Sequence, residues 1–109
     1  MLPRQHHLLN ALNACTAACH ECFAGHVLGT ATGETRVRSI QLTRDCADLC
    51  QLVAAFVARG PEHVQYLLRK CAELCRACAD GDAQYSHDFC RRCTEACRQA
   101  EDACRTACY

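Results

Sequence analysis

The sequence predicts an all-α fold, an antiparallel four-helix bundle with cysteines lining its core. Three observations predict it: thirteen cysteines in 109 residues, cysteine spacings dominated by three, four and seven, and glycine or proline breaks that divide the chain into four segments. Those spacings place side chains on one face of an α-helix. Short loops between helices of about 20 residues favour an antiparallel bundle. We expect a single domain over residues 1–109.

The first two segments form one predicted helical hairpin. The first runs from about Arg4 to Leu28 and is ended by the break at residues 29–33. The second runs from about Arg36 to Arg59 and is ended by Gly60-Pro61. Both carry side chains at helical spacing, namely Leu8, Leu12, Cys15, Cys19, Cys22 and His26 in the first and Leu42, Cys46, Leu49, Cys50, Val53 and Val57 in the second.

The last two segments form a second hairpin of related pattern. The third segment runs from about Pro61, a residue favoured at the first helical position, to Ala79, and Gly81 to Ser86 form the next turn. The fourth runs from about His87 to the end of the chain. The first and third segments share the spacing Cys-x3-Cys-x2-Cys. The aligned residues are Val64, Leu67, Leu68, Cys71, Leu74, Cys75 and Cys78 in the third and Cys90, Cys93, Cys97, Cys104 and Cys108 in the fourth.

The charge distribution excludes several classes of partner. Lys plus Arg equals Asp plus Glu at twelve each, so no basic stripe is present for nucleic acid and no polybasic segment for an anionic membrane. No apolar run reaches transmembrane length, and the N-terminus lacks the pattern of a secretory signal. We therefore expect a cytoplasmic protein. Thiols stay reduced in that compartment, so dense cysteine predicts metal binding over disulfides.

The cysteine spacing also predicts which metal is bound. Side chains four apart on a helix have Cβ atoms about 5–6 Å apart, too open for a disulfide, which needs about 3.8 Å. A metal with bonds to sulfur of about 2.3 Å fits that gap. Soft thiolates select Cu(I), zinc or iron–sulfur clusters, and Cu(I) tolerates two or three sulfur ligands, so metal and sulfur counts approach one to one. The predicted ligands are Cys15, Cys19, Cys22, His26, Cys46, Cys50, Cys71, Cys75, Cys78, Cys90, Cys93, Cys97, Cys104 and Cys108.

Antiparallel packing gives the predicted bundle two unlike ends. We expect an apolar plug at one end, with Cys104 and Cys108 extending the thiol stripe back towards it. The plug gathers Leu8, Leu12, Val53, Phe56, Val57, Val64 and Leu67. The opposite end is a thiol-lined mouth that gathers Cys19, Cys22, Cys46, Cys78, Cys90 and Cys93.

The elements CTAACHEC and CAELCRAC, with CADLC and CRRCTEAC between and after them, resemble the bacterial copper storage proteins. The resemblance covers essentially the whole chain. It implies a homotetramer of bundles, Cu(I) sequestered by core thiolates, and an entrance for metal at one end of each bundle. The missing leader fits the cytosolic branch of that family. Exported members place methionines beside an entrance histidine, but Met1 is the only methionine here, so a methionine-lined entrance is not expected.

Polar residues near the stripe have two interpretations each. His26 follows Cys22 by four residues at the mouth, and we interpret it as a metal ligand or an entrance gate. The alternative is a histidine at the helix C-terminus that interacts favourably with the helix dipole. His87 is equally an entrance ligand or a surface residue. Glu101 falls inside the thiol stripe, where it either reaches water or hydrogen-bonds to the site. The other histidines, His6, His7, His20 and His63, are expected at the surface.

Other classes of protein fit less well. A di-iron carboxylate bundle needs Glu-x-x-His motifs, and none occurs. An odd cysteine count opposes a disulfide-stapled domain, and a thiol redox enzyme needs one activated cysteine in a distinct setting. The alternative that stays open is a zinc- or iron–sulfur-binding thiol protein. The sequence thus predicts a non-enzymatic cytosolic store for many Cu(I) ions, which enter at the His26 end, with a copper chaperone as a candidate partner.

Overall fold

The computed structural model describes residues 2–28, 34–60 and 62–107. Within these ranges the chain is almost entirely helical and contains no strand. The helices are α1 (Pro3–Leu28), α2 (Glu34–Arg59), α3 (Val64–Asp82) and α4 (Asp88–Thr106). In the described part, the backbones of α1 and α3 each run beside those of α2 and α4, while diagonally opposite helices meet only through side chains in the core. This closed ring of neighbours, 43 × 20 × 18 Å in extent, confirms the predicted four-helix bundle.

The prediction was wrong at the start of the third helix. The helix begins at Val64 instead of Pro61. Pro61 itself lies outside the described residues. His63 adopts a left-handed conformation with φ 69°, and Gly60 has φ 146°. A left-handed residue cannot lie inside a right-handed helix, so the turn between α2 and α3 has to end at His63.

The prediction was also wrong at the end of the third helix. Instead of stopping at Ala79, α3 continues through Gly81 to Asp82, so the turn to α4 occupies residues 83–87. A glycine inside a helix costs only about 1 kcal/mol relative to alanine, which buried packing of the last turn offsets. The α4 helix begins one residue later than predicted, at Asp88, and ends at Thr106. The predicted ligand Cys108 lies outside the described residues.

Aliphatic side chains close one end of the bundle. Each buried leucine or valine contributes about 1.5–3 kcal/mol relative to exposure, so this end stabilises the fold without metal. Leu68 is buried there, whereas Leu67 and Phe56, predicted in the plug, are half-buried against it. The remaining plug residues are buried as predicted, namely Leu8, Leu12, Val53, Val57 and Val64. None of the described helices is both long and apolar enough to cross a membrane.

Candidate metal centre

Thiols and alanines fill the rest of the core, and the thiols form a column along it. Every predicted cysteine within the described residues is buried, and none of them forms a disulfide. The helical phase of the sequence therefore points all of these side chains inwards, as predicted. The column contains Cys15, Cys19, Cys22, Cys46, Cys50, Cys71, Cys75, Cys78, Cys90, Cys93, Cys97 and Cys104.

Thiols contact one another both along and between helices. Along α1 and α4, the Sγ atoms of Cys15 and Cys19 and of Cys93 and Cys97 lie 3.9 Å apart. Between α1 and α4, the Sγ atoms of Cys15 and Cys97 lie 3.6 Å apart. With bonds of about 2.3 Å, two sulfurs lie about 4.6 Å apart in a linear site, about 4.0 Å in a trigonal one and about 3.8 Å in a tetrahedral one. The sulfurs are therefore spaced for three or four ligands drawn from several helices, more than for the two-ligand bridge along one helix that the sequence suggested.

Overlapping groups of four thiols form the middle of the column. In each group all Sγ atoms lie within 4.8 Å of one another. Because neighbouring groups share members, a metal in one group has bridging thiolates to the next. The groups are Cys15, Cys46, Cys50 and Cys75; Cys15, Cys19, Cys46 and Cys97; and Cys19, Cys78, Cys93 and Cys97. Cys19 and Cys46, predicted at the mouth, thus lie deeper in the column.

The mouth combines thiols with two other donors. Cys22, His26, Asp82 and Cys90 place their ligand atoms within 4.8 Å of one another. His26 is 3 % exposed and Asp82 is 1 % exposed. The Nε2 atom of His26 lies 3.4 Å from Asp82 Oδ1 and 3.8 Å from Cys90 Sγ. We call these four residues the mouth cluster, and His26 lies at the predicted end of the bundle.

Asp82 was missed by the sequence reasoning because the third helix was ended too early. The residue follows Cys78 by four positions, and this spacing continues the stripe of α3 by one turn. In the structure the Cys78 thiol donates to Asp82 Oδ2 over 3.7 Å. The spacing of four residues from Cys78 could therefore have predicted Asp82 as a core residue, but Gly81 was interpreted as the start of a turn.

Aromatic rings wall the outer side of His26. The rings of Tyr85 and Phe89 both approach it edge-on, with centroids 5.4 Å away. Phe89 packs directly on Gly25, where an added Cβ would lie 2.7 Å from the phenyl ring. The exposed His87 ring stacks on Phe89 at 5.1 Å. His87 is thus outside the mouth cluster, on the outer face of its aromatic wall.

The second helix contributes hydroxyl groups instead of thiols near the mouth. Ser39 and Thr43 are buried and continue the stripe of Cys46 and Cys50 at helical spacing. The Thr43 hydroxyl donates to the backbone oxygen of Ile40 over 2.9 Å. Side chains from α1, α3 and α4 form the mouth cluster, whereas α2 carries buried hydroxyls where its stripe of thiols ends.

The buried thiols differ in acidity because they hydrogen-bond to one another. Bonds from neighbouring thiols, Cys19 foremost, hold the pKa values of Cys15 and Cys93 well below the usual range. The pKa values of Cys50 and Cys97 are raised, first by their bonds with Cys15 and then by burial. Neighbouring thiols thus differ in acidity, and the more acidic ones accept hydrogen bonds from the less acidic ones. A bound metal must displace the remaining protons.

Two groups at the ends of the column have raised pKa values. Burial, followed by the negative charge of a Cys93 thiolate, raises the pKa of Asp82 to about 8. At the plugged end, the hydrogen bond with Cys71 and then burial raise the pKa of Cys104. Both groups are therefore mainly protonated near neutral pH in the apo protein.

The remaining polar candidates lie outside the column. The side chain of Glu101 is 16 % exposed and accepts from Arg105 Nε at 2.9 Å, which supports the interpretation that it reaches water. The predicted surface histidines are all exposed, namely His6, His7, His20 and His63.

A helical bundle with a column of mutually contacting free thiols defines a multi-thiolate protein for soft metal ions. Comparison with known protein families then identifies the family. The sequence model of the copper storage protein family, Csp, matches residues 2–109. The chain belongs to the copper storage protein family.

Solved structures agree with this assignment. A cytosolic copper storage protein from Streptomyces lividans, loaded with five coppers, is 31 % identical and superimposes with a TM-score of 0.86, covering 94 % of this chain and 89 % of that one. The Cu(I)-bound copper storage protein BsCsp3 is 29 % identical with a TM-score of 0.84, covering 94 % and 96 %. An uncharacterized cysteine-rich protein of Bacillus subtilis, YhjQ, is 29 % identical over 92 residues, which are 84 % of each chain.

Proposed function

We propose that this chain is a cytosolic store that holds many Cu(I) ions on the thiolates of its own core. The observation that carries the proposal is the column of contacting free thiols. Three overlapping four-thiol groups give every incoming ion a neighbouring set of ligands. The ligands we assign are all of the predicted cysteines, Cys108 included, together with His26 at the mouth.

Charge favours Cu(I) over zinc in the thiol column. A Cu(I) cluster with about one thiolate per ion is electrically neutral, whereas a zinc ion with four thiolates keeps two uncompensated negative charges. Isolated charge is costly to bury in an apolar core. Near the thiol column, the described residues of α1 to α4 bury no Lys or Arg that would balance it. Cu(I) is therefore expected to bind in the middle of the bundle in preference to zinc.

Copper enters at the mouth and moves inwards by exchange between neighbouring thiolates. The mouth cluster leads to the column through Cys78, whose thiol contacts Asp82. The column then continues through Cys19, which lies 3.8 Å from both Cys93 and Cys97 between sulfur atoms. The aliphatic plug closes the opposite end. Loading therefore proceeds from His26 towards Cys104.

Family membership supports the remaining parts of the proposal. The Streptomyces lividans protein is described as cytosolic, which supports a cytosolic location for this chain. The family stores copper, so we propose no catalytic activity, and one bundle spanning residues 1–109 as the storage domain. We also propose assembly into a homotetramer, which the family resemblance implies, and a copper chaperone as a candidate partner that delivers the metal.

Anaerobic titration of the reduced protein with Cu(I), against a competing chelator, tests the storage proposal. We expect tight binding that saturates near the thiol count, thirteen per chain. Replacing Cys50 by alanine should lower the capacity by about one ion, whereas replacing the exposed Thr106 should leave it unchanged. Saturation at one or two ions per chain would rule out storage.

A further inference from the structure

We propose that the mouth cluster, Cys22, His26, Asp82 and Cys90, is a site for one borderline divalent cation of the Zn²⁺ class, outside the three four-thiol groups of the column. A bound ion closes the mouth and slows copper loading. This regulatory consequence rests on the proposed storage function, whereas binding of the divalent ion does not.

The donor set of the mouth cluster differs in kind from that of the column. Each four-thiol group offers sulfur alone, which suits a soft ion. The mouth cluster offers two thiols, one imidazole nitrogen and one carboxylate oxygen. Thiolate, imidazole and carboxylate together are the ligand types of zinc sites, and a carboxylate is a poor partner for Cu(I). The mouth is therefore chemically selective for a harder ion than the column.

Two distances between ligand atoms of the mouth cluster fit a tetrahedral site. With zinc bonds of about 2.0–2.1 Å to nitrogen and oxygen, these two atoms lie about 3.4 Å apart, and a sulfur at about 2.3 Å lies about 3.6 Å from the nitrogen. In the structure His26 Nε2 lies 3.4 Å from Asp82 Oδ1 and 3.8 Å from Cys90 Sγ. The cluster accepts the ion with shifts of a few tenths of an ångström at these atoms.

Charge also directs a divalent ion to the mouth in preference to the column. Two thiolates and one carboxylate leave a single negative charge after Zn²⁺ binds, whereas four thiolates leave two. The smaller residual charge is less costly to bury. Among the four-residue groups of the described core, the mouth cluster is the one that contains a neutral nitrogen ligand.

The position of the cluster gives the ion a regulatory role. Its ligands come from α1, α3 and α4, so one ion ties three helices together at the end of the thiol column. Asp82 also accepts from the Cys78 thiol, the first step from the mouth into the column. A Cu(I) ion that enters at the mouth has to displace the divalent ion or wait for it to leave.

Titration with Co²⁺ tests the site without copper. In reduced, copper-free protein, one Co²⁺ per chain should give the visible bands of a tetrahedral ion and a sulfur-to-cobalt band of two thiolates, and Zn²⁺ should abolish both. The variant Asp82→Asn keeps the shape and removes the carboxylate. It should weaken Co²⁺ and Zn²⁺ binding by more than about tenfold, since even outer partners of metal ligands are worth about 10–100-fold.

Two matched variants separate the mouth from the column. Asp80→Asn alters an exposed carboxylate two residues away that pairs with Arg98, and it should bind Co²⁺ as the unaltered chain does. The double variant Cys15→Ala, Cys97→Ala disrupts all three four-thiol groups and should also retain the first Co²⁺ ion. If instead this double variant loses the ion while Asp82→Asn keeps it, or if the band shows four thiolates, the proposal is wrong.

Copper loading tests the regulatory role separately. One equivalent of Zn²⁺ should slow the initial uptake of Cu(I) by the unaltered chain several-fold and leave its capacity unchanged. The same Zn²⁺ should not slow the Asp82→Asn variant. If Zn²⁺ slows both chains equally, the ion at the mouth cluster does not regulate copper loading, even if the Co²⁺ titration has shown that the site exists. Failure of storage itself appears as a low Cu(I) capacity in zinc-free protein, which leaves the Co²⁺ result unaffected.

Discussion

His26 Nε2 lies 3.4 Å from Asp82 Oδ1, with both side chains almost fully buried where the thiol column meets the turn between α3 and α4. The pair joins the C-terminal turns of α1 and α3. It places the imidazole and carboxylate ligands of the mouth cluster side by side, with the thiols of Cys22 and Cys90 as neighbours. The bundle therefore has a chemically distinct end, and several properties should depend on this pair.

The stability of the metal-free protein should depend on pH through Asp82. Burial raises its pKa to about 8, from 3.8 in an unfolded chain. Between these values the folded state holds a proton that the unfolded state has released, so a rise in pH favours unfolding. The free energy of unfolding of Asp82→Asn should therefore exceed that of the unaltered chain by an amount that grows from about pH 4 to about pH 8.

Urea unfolding with a chelator and a reductant, at several pH values, measures this effect. Asp80→Asn, which removes an exposed carboxylate from the same helix, is the control. A constant difference between Asp82→Asn and the unaltered chain across this range would contradict the buried, protonated carboxyl.

Replacing His26 by alanine should slow copper loading more than it lowers capacity. The imidazole is one group at the mouth, whereas most of the bound copper lies on thiolates further in. Stopped-flow loading from a Cu(I) chelate, in zinc-free protein, measures the rate, and equilibrium titration measures the capacity. His20→Ala, at an exposed position on the same helix, should change neither. If His26→Ala loads copper at an unchanged rate, His26 takes no part in copper entry.

Two glycine substitutions should have opposite effects on stability. At Gly25 an added Cβ would lie 2.7 Å from the ring of Phe89, so alanine there should displace the ring and cost about 1–3 kcal/mol. At Gly81 the added Cβ would lie 3.5 Å from Leu42 Cδ1, an ordinary contact, so alanine should stabilise α3 by up to about 1 kcal/mol. Thermal unfolding of the apo variants checks both signs, and a stabilised Gly25→Ala chain would show that Phe89 moves away freely.

The aliphatic plug should fold the bundle before any metal binds. The apo protein should show a helical circular dichroism spectrum, and Leu12→Ala, at a fully buried position, should lower its stability by about 2–5 kcal/mol. Copper capacity should stay the same, because no thiol is removed. Leu52→Ala, at a position 48 % exposed, should have little effect. An apo protein without helical signal would mean that copper drives folding.

The sequence predicted the fold and the thiol column well because helical phase determines both. Spacings of three, four and seven permit only one burial pattern for residues such as Cys15, Cys19 and Cys22. The sulfur spacing could not be predicted, because the side-chain rotamers of facing helices determine the 3.6 Å contact between Cys15 and Cys97.

Local rules failed where tertiary packing decided the outcome. Gly81 was interpreted as the end of a helix, although one buried turn, ending in Asp82, continues beyond it. Pro61 was interpreted as the first residue of α3, although the left-handed His63 delays the start to Val64. Both errors concern helix ends, and the first of them concealed a mouth residue.

Anomalous diffraction at the copper edge, from crystals of the fully loaded protein, tests the central claim most directly. We predict a row of copper sites along the bundle axis, each within bonding distance of core sulfurs such as Cys15, Cys46 and Cys97. Copper found only at exposed histidines such as His6, with the core thiols empty, would contradict storage in the thiol column.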